Sequence, residues 1–79
     1  MKTLESFIRQ KRNELGISQY QLAKRIGVHP QFVSNCERLE CQMPVKYFKK
    51  ISRVFSVDVE TLIKKRIQDI ESEMYQQIG

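Results

Sequence analysis

The stretch that decides the fold is Ser18-Gln-Tyr-Gln-Leu-Ala-Lys-Arg-Ile-Gly-Val-His-Pro-Gln-Phe-Val-Ser-Asn-Cys-Glu-Arg38. Ser18 stands three positions before Gln21, the spacing of a capping box, so a helix starts there. Leu22, Ala23 and Ile26 give that helix one apolar side, and Gly27 stops it. Pro30 lacks the N–H that would be unpartnered at a first helical position, so a second helix opens on it. That helix spans residues 30–38 and buries Val33 and Cys36 at a spacing of three. The turn between the helices needs a residue that tolerates positive φ, which Gly27 supplies. Ala23 is small enough to sit at the closest crossing, with Val28 and Val33 beneath it.

Two short helices joined in this way have the geometry of a helix-turn-helix, whose second helix fits a DNA major groove. The flanking sequence is helical too. Leu4, Phe7, Ile8 and Leu15 fit one face of a first helix, with Thr3 as N-cap and Gly16 as stop. Residues 39–43 read as a loop. Pro44 is expected to open a fourth helix with Tyr47, Phe48, Ile51, Val54 and Phe55 inward. Ser56-Val57 reads as a turn, and Asp58 as the cap of a fifth helix running from Val59 to Ile78. No strand signal, internal repeat or low-complexity linker interrupts this, so the chain is expected to be a compact all-α domain.

Seventy-nine residues argue for one domain with a small core. Residues 1–67 hold all 14 bases and 6 acids, a net +8, whereas residues 68–79 hold Asp69, Glu71 and Glu73 and no base. A basic body points to a polyanionic partner, of which nucleic acid is the commonest. No apolar run approaches the roughly 18–20 residues of a membrane span, and charges interrupt the N-terminal stretch where a signal peptide would be apolar. With only Cys36 and Cys41, a disulfide scaffold is not expected, and a cytoplasmic setting is.

The sequence resembles the Cro and phage-lambda-repressor type of helix-turn-helix domain. The resemblance rests on Gln19-Tyr-Gln-Leu-Ala-Lys-Arg-Ile-Gly-Val28, Val33, Glu37-Arg38, Pro44 and Val57-Asp-Val-Glu-Thr-Leu62, and covers roughly residues 4–65. It implies a five-helix lambda-repressor-like DNA-binding domain, here with an extended C-terminal helix. It also implies a cytoplasmic transcriptional regulator, usually a repressor and a dimer on a palindromic operator. The boundary is expected near residue 67, with residues 68–79 as an extension for dimerisation.

Carried onto this chain, the resemblance makes residues 30–38 the recognition helix. With Val33 and Cys36 inward, Gln31, Ser34 and Asn35 face the groove, with Arg38 at its flank. Gln and Asn can pair bidentately with adenine, and Ser can donate or accept. Pro30 occupies a position that often contacts a base but can only pack there, and Phe32 either packs likewise or turns into the protein. Gln19 and Ser18 stand at a helix start, where N–H groups and the dipole favour phosphate. His29 and Arg12 are further phosphate candidates; Arg9, Lys46 and Lys49 would add a salt-dependent attraction. Arg12 and Glu37 match family positions that face each other as a partly buried ion pair. Two departures stand out. Leu39 replaces a common glycine, and the loop 39–43 carries Glu40 where a base is usual, which weakens its hold on phosphate.

Ile63, Ile67, Ile70 and Met74 alternate at +4, +3, +4, and Tyr75 and Ile78 extend the stripe. Val59, Leu62 and Ile63 are expected in the core, and Lys65, Asp69, Glu71, Ser72, Glu73 and Gln76 on the opposite, polar side. The apolar stripe is expected to pair with a second copy. No metal, cofactor or small-molecule ligand is expected: Cys36, Cys41 and His29 lack zinc spacing, and no basic cluster activates either thiol. No paired nucleophile and base appears, so an enzyme is not expected. The competing reading is a protein-interaction module, antitoxin-like or anti-repressor, favoured by the acidic loop with Leu39 and Met43 exposed.

Overall fold

The computed structural model describes residues 3–78. Five helices follow one another: α1 (Leu4–Glu14), α2 (Gln19–Ile26), α3 (Pro30–Glu37), α4 (Phe48–Phe55) and α5 (Val59–Ile78), with one 3-10 turn (Val45–Tyr47) before α4. No strand occurs among the described residues.

Local chemistry sets the helix ends. The Thr3 hydroxyl accepts from the Ser6 N–H at 3.0 Å. Ser18 and Gln21 close a reciprocal capping box: Gln21 N–H donates to Ser18 Oγ at 3.0 Å, and Ser18 N–H to Gln21 Oε1 at 2.8 Å. Gly27 takes φ +79°, and its N–H and that of Val28 both reach the Ala23 carbonyl at 2.9 Å. The chain thereby reverses into α3, which opens on Pro30. Ser56, at φ 54°, ends α4 in the same left-handed way.

One core draws on all five helices: Leu4 and Ile8, Leu22, Ala23 and Ile26, Val33 and Cys36, Phe48, Ile51 and Phe55, and Leu62, closed by Met43 from the loop. Each apolar side chain so buried contributes about 1.5–3 kcal/mol against exposure.

Several residues lie elsewhere than their spacing suggests. Leu15 is 50% exposed, because α1 ends at Glu14 and Leu15 is its C-cap, where the chain already turns; Ile17 packs on the core instead. Pro44 starts the 3-10 turn, not the regular helix, which begins at Phe48. Ile63 is 39% exposed: α5 turns Leu62 and Arg66 to the body, and the next residue lies ~100° round the helix. Met43 is 1% exposed, not on the loop surface. Lys65 and Asp69 leave the outward side of α5. The Lys65 ammonium stands 4.5 Å from the Phe7 ring centroid, and an Asp69 oxygen accepts from the Leu4 N–H at 2.9 Å.

Asp69 lies at the edge of a polar cluster, with Glu5 and Arg66 buried, that joins α1, the loop and α5. Glu5 Oε2 accepts from the Met43 N–H at 2.8 Å and from Arg66 Nη2, while Arg66 Nη1 lies 3.5 Å from Asp69 Oδ2. Glu5 is 3% exposed, so this pairing is what makes its burial tolerable. Among the described residues, no buried side-chain nitrogen or oxygen lacks a partner.

Candidate nucleic-acid interface

α3 is fixed from behind and open in front. Val33 and Cys36 sink into the core, and Glu37 is buried beside them. The Glu37 carboxylate takes a two-pronged grip from Arg12, Nε to Oε2 at 2.7 Å and Nη2 to Oε1 at 2.9 Å. Arg12 Nη1 donates to the Ile17 carbonyl at 2.8 Å, and Gln19 Nε2 donates to Glu37 Oε1 at 3.1 Å. Three segments are thus tied to the end of α3. The hydrogen bond to Glu37 raises the Arg12 guanidinium above its ordinary pKa, against the opposing effect of burial.

The front carries a continuous polar chain. Gln31 Nε2 donates to Asn35 Oδ1 at 2.9 Å, and Arg38 Nη2 donates to the same oxygen at 2.8 Å and to Glu40 Oε2 at 3.1 Å. Gln31 and Arg38 are exposed, and Ser34 and Asn35 half-buried. The four residues singled out from spacing therefore share one accessible side of one helix. Their amides are held by each other, so few rotamers are left to freeze when a ligand arrives.

At the entrance to α3, His29 is the N-cap: its Nδ1 accepts from the Gln31 N–H at 3.1 Å, which places the ring proton on Nε2. Ser18 is committed to its capping box, and Gln19 is turned to Glu37. Pro30 is half-buried. Phe32 turns to the protein, its ring centroid 6.5 Å from that of Tyr47 at an interplanar angle of 57°. Arg12 is spent on Glu37 and Ile17, which makes it a residue that positions α3. Lys50, which spacing did not single out, brings its ammonium to 3.7 Å from where a Cβ on Gly27 would stand, and so lies over the turn. The buried Glu5 and Arg66, and the partly buried Asp69 beside them, were also missed. A charge one position from Leu4, and another four positions after Leu62, were the available signals.

The burial of Met43 removes one of the two loop residues that would have offered a protein-docking surface; Leu39 remains exposed. Leu39 has φ 63°, a left-handed conformation that explains why glycine would be natural there. No helix among the described residues is long and apolar enough to cross a membrane.

Comparison with known proteins fits this geometry. The HTH-type transcriptional regulator SinR of Bacillus licheniformis is 35% identical over 60 residues, which are 75% of this chain and 54% of that protein. The chain thus spans about half the length of this curated relative. The crystal structure of SinR, described as the master regulator for biofilm formation, in complex with DNA superposes with a TM-score of 0.68 at 34% identity, covering 77% of this chain and 98% of that one. A complex of the SinR and SinI proteins superposes with a TM-score of 0.69 at 30% identity, covering 96% of this chain and 75% of that one. Residues 8–62 match the family profile described as Helix-turn-helix. That match spans both helices of the motif and most of the body around them, so the chain belongs to the helix-turn-helix family, of the Cro and phage-lambda-repressor type.

Proposed function

We propose that this chain is a DNA-binding transcriptional regulator, acting as a repressor, that reads a palindromic operator as a twofold dimer in the cytoplasm. The observation that carries the reading is the exposed polar chain of Gln31, Asn35 and Arg38 on a helix anchored from behind by the core and the Arg12–Glu37 pair. Its similarity to a protein solved on DNA supports it.

In this reading Gln31 and Asn35 pair with base edges, adenine being the base that suits a side-chain amide. Ser34 adds a hydroxyl, and Pro30 packs against a thymine methyl. Gln19, Ser18, His29 and Arg38 lie by the phosphates, with the α2 N-terminus oriented to favour an anion. Arg12 contributes by holding α3 in place. Glu40 draws Arg38 away from phosphate, so the electrostatic hold is weaker than a fully basic loop would give. Residues 1–67 form the DNA-binding unit, and the stripe of Ile67, Ile70, Met74, Tyr75 and Ile78 on α5, exposed throughout, pairs two copies.

Selection of bound duplexes from a random pool tests this. A recurrent half-site repeated about one helical turn apart is expected. A pool that shows no enriched sequence overturns the reading. A second reading, an antitoxin-like or anti-repressor module that holds a protein partner, is favoured by the likeness to SinR solved with SinI. It predicts that same unenriched pool.

A further inference from the structure

Cys36 and Cys41 are both free, and their sulfurs stand 3.4 Å apart. Cys36 is buried on the inner side of α3; Cys41, in the loop, is half-exposed and lines an open groove of about 610 Å³ between that loop and α5. A disulfide needs about 2.05 Å between sulfurs, so the folded chain already holds the two within about 1.4 Å of bonding.

The segment between them is wired to the exposed face of α3. The Glu40 N–H donates to the Asn35 carbonyl at 2.9 Å, Arg38 donates to the Asn35 side chain at 2.8 Å, and the Leu39 N–H donates to the Cys36 carbonyl at 2.9 Å. Drawing Cys41 towards Cys36 therefore pulls on the residues that hold Asn35. We propose that Cys36 and Cys41 are a two-electron redox pair that closes to an intramolecular disulfide under a hydroperoxide and shifts the Asn35 end of α3.

The exposures assign the order of events. Burial, and then the hydrogen bond to Cys41, push the Cys36 thiol up to about 12, so it stays protonated and enclosed at neutral pH. Cys41 is the sulfur a small oxidant can reach. Its thiolate attacks one oxygen of hydrogen peroxide; the S–O bond forms, the O–O bond breaks, and the departing hydroxide takes up the proton that Cys41 gave up. Cys41 is thereby oxidised by two electrons to the sulfenic acid, and the peroxide is reduced. The Cys36 sulfur then attacks the Cys41 sulfur; the S–S bond forms, the S–O bond breaks, and the hydroxyl leaves with the Cys36 proton as water. Two thiols and one peroxide become one disulfide and two waters. A dithiol reductant restores the pair by exchange. In a reducing compartment the pair rests as thiols and closes only during oxidative exposure.

The test needs no DNA, so it stands apart from the proposed function. The full chain is exposed to equimolar hydrogen peroxide and followed by intact mass, dimedone capture and ¹H–¹⁵N spectra. Expected are loss of the mass of two hydrogen atoms, migration as a single chain on a non-reducing gel, reversal by dithiothreitol, and displaced amide signals for Asn35 and Glu40. The Cys36→Ser variant should stop at a dimedone-reactive Cys41, and the Cys41→Ser variant, altered only at a half-exposed loop position, should resist the same exposure. A parent protein that accumulates the dimedone adduct, links two chains, or closes the bond with Asn35 unmoved overturns the proposal.

Discussion

Arg12 on α1 and Glu37 on α3 meet through two parallel hydrogen bonds of 2.7 and 2.9 Å, although 25 residues separate them in the chain. The Glu37 side chain is 3% exposed and that of Arg12 12%, so water does little to compensate either if its partner is lost. Removing one member of a buried pair costs roughly 3–5 kcal/mol, against a total stability of about 5–15 kcal/mol for a domain. Glu37→Ala should therefore lose a substantial share of its resistance to urea, with a midpoint clearly below that of the parent. A Glu37→Ala protein as stable as the parent would contradict a buried pair.

Asp69 supplies a second expected outcome. Its carboxylate accepts from the Leu4 N–H, the first helical position of α1, and lies beside Arg66. A carboxylate at a helix N-terminus is worth roughly 0.5–2 kcal/mol through its hydrogen bond and the helix dipole. Asp69→Ala should be destabilised by about that much. Substitution of a purely solvated acid moves stability by less than about 0.5 kcal/mol, and urea unfolding separates the two cases.

The difference between these two pairs shows what the sequence makes legible. Helix ends could be read because their partners lie within a turn: Thr3 with Ser6, Ser18 with Gln21, and Gly27 with the Ala23 carbonyl. The outward side of α3 followed from the inward spacing of Val33 and Cys36. Arg12 and Glu37 could be paired only through resemblance to a known family, since no local rule spans 25 residues. Glu5 and Arg66, 61 residues apart, have no such guide, and their partnership exists only because α1, α5 and the loop pack together. Ile63 failed by a single residue, which on a helix is ~100° of rotation and suffices to move a side chain from core to surface, and Leu15 failed because α1 ends one residue before it. Met43 failed because loop burial is decided by what covers the loop.

Leu39 is strained by its φ of 63°. A left-handed conformation costs an L-residue roughly 1–2 kcal/mol, while glycine pays about 0.5–1 kcal/mol in extra unfolded-state freedom. Leu39→Gly should therefore gain up to about 1.5 kcal/mol, seen as a higher Tm at roughly 4–8 °C per kcal/mol for a domain of this size. A lowered Tm would mean that the exposed Leu39 side chain makes a stabilising contact.

On the side of α3 that we propose reads DNA, Gln31→Ala and Asn35→Ala should each weaken binding to the selected duplex by ~1–3 kcal/mol and leave folding intact. The two amides are bonded at 2.9 Å, so the double variant should lose less than the sum of the single losses. Titration of labelled duplex, with circular dichroism as the folding control, measures both. Unchanged affinity in both single variants would remove α3 as the reading element.

The final expectation concerns assembly. α5 runs 20 residues, about 30 Å at ~1.5 Å per residue, and one side of it meets the body through Leu62, Lys65, Arg66 and Asp69. Ile63, Ile67, Ile70 and Met74 are 39%, 48%, 48% and 58% exposed, and their spacing of four, three and four is that of a coiled-coil seam. An apolar stripe this long on so small a body is best buried by its own copy across a twofold axis, which would also set two α3 helices in successive major grooves ~34 Å apart. Truncation after Ile67 would test this poorly, because it also removes Asp69 and its bond to Leu4. Ile70→Glu combined with Met74→Glu keeps that bond and places charge in the seam. Sedimentation should find the parent dimeric on the order of tens of micromolar and the double variant monomeric, with unchanged helix content. A parent that is monomeric with and without duplex refutes the dimer, and a double variant that remains dimeric moves the interface to another face.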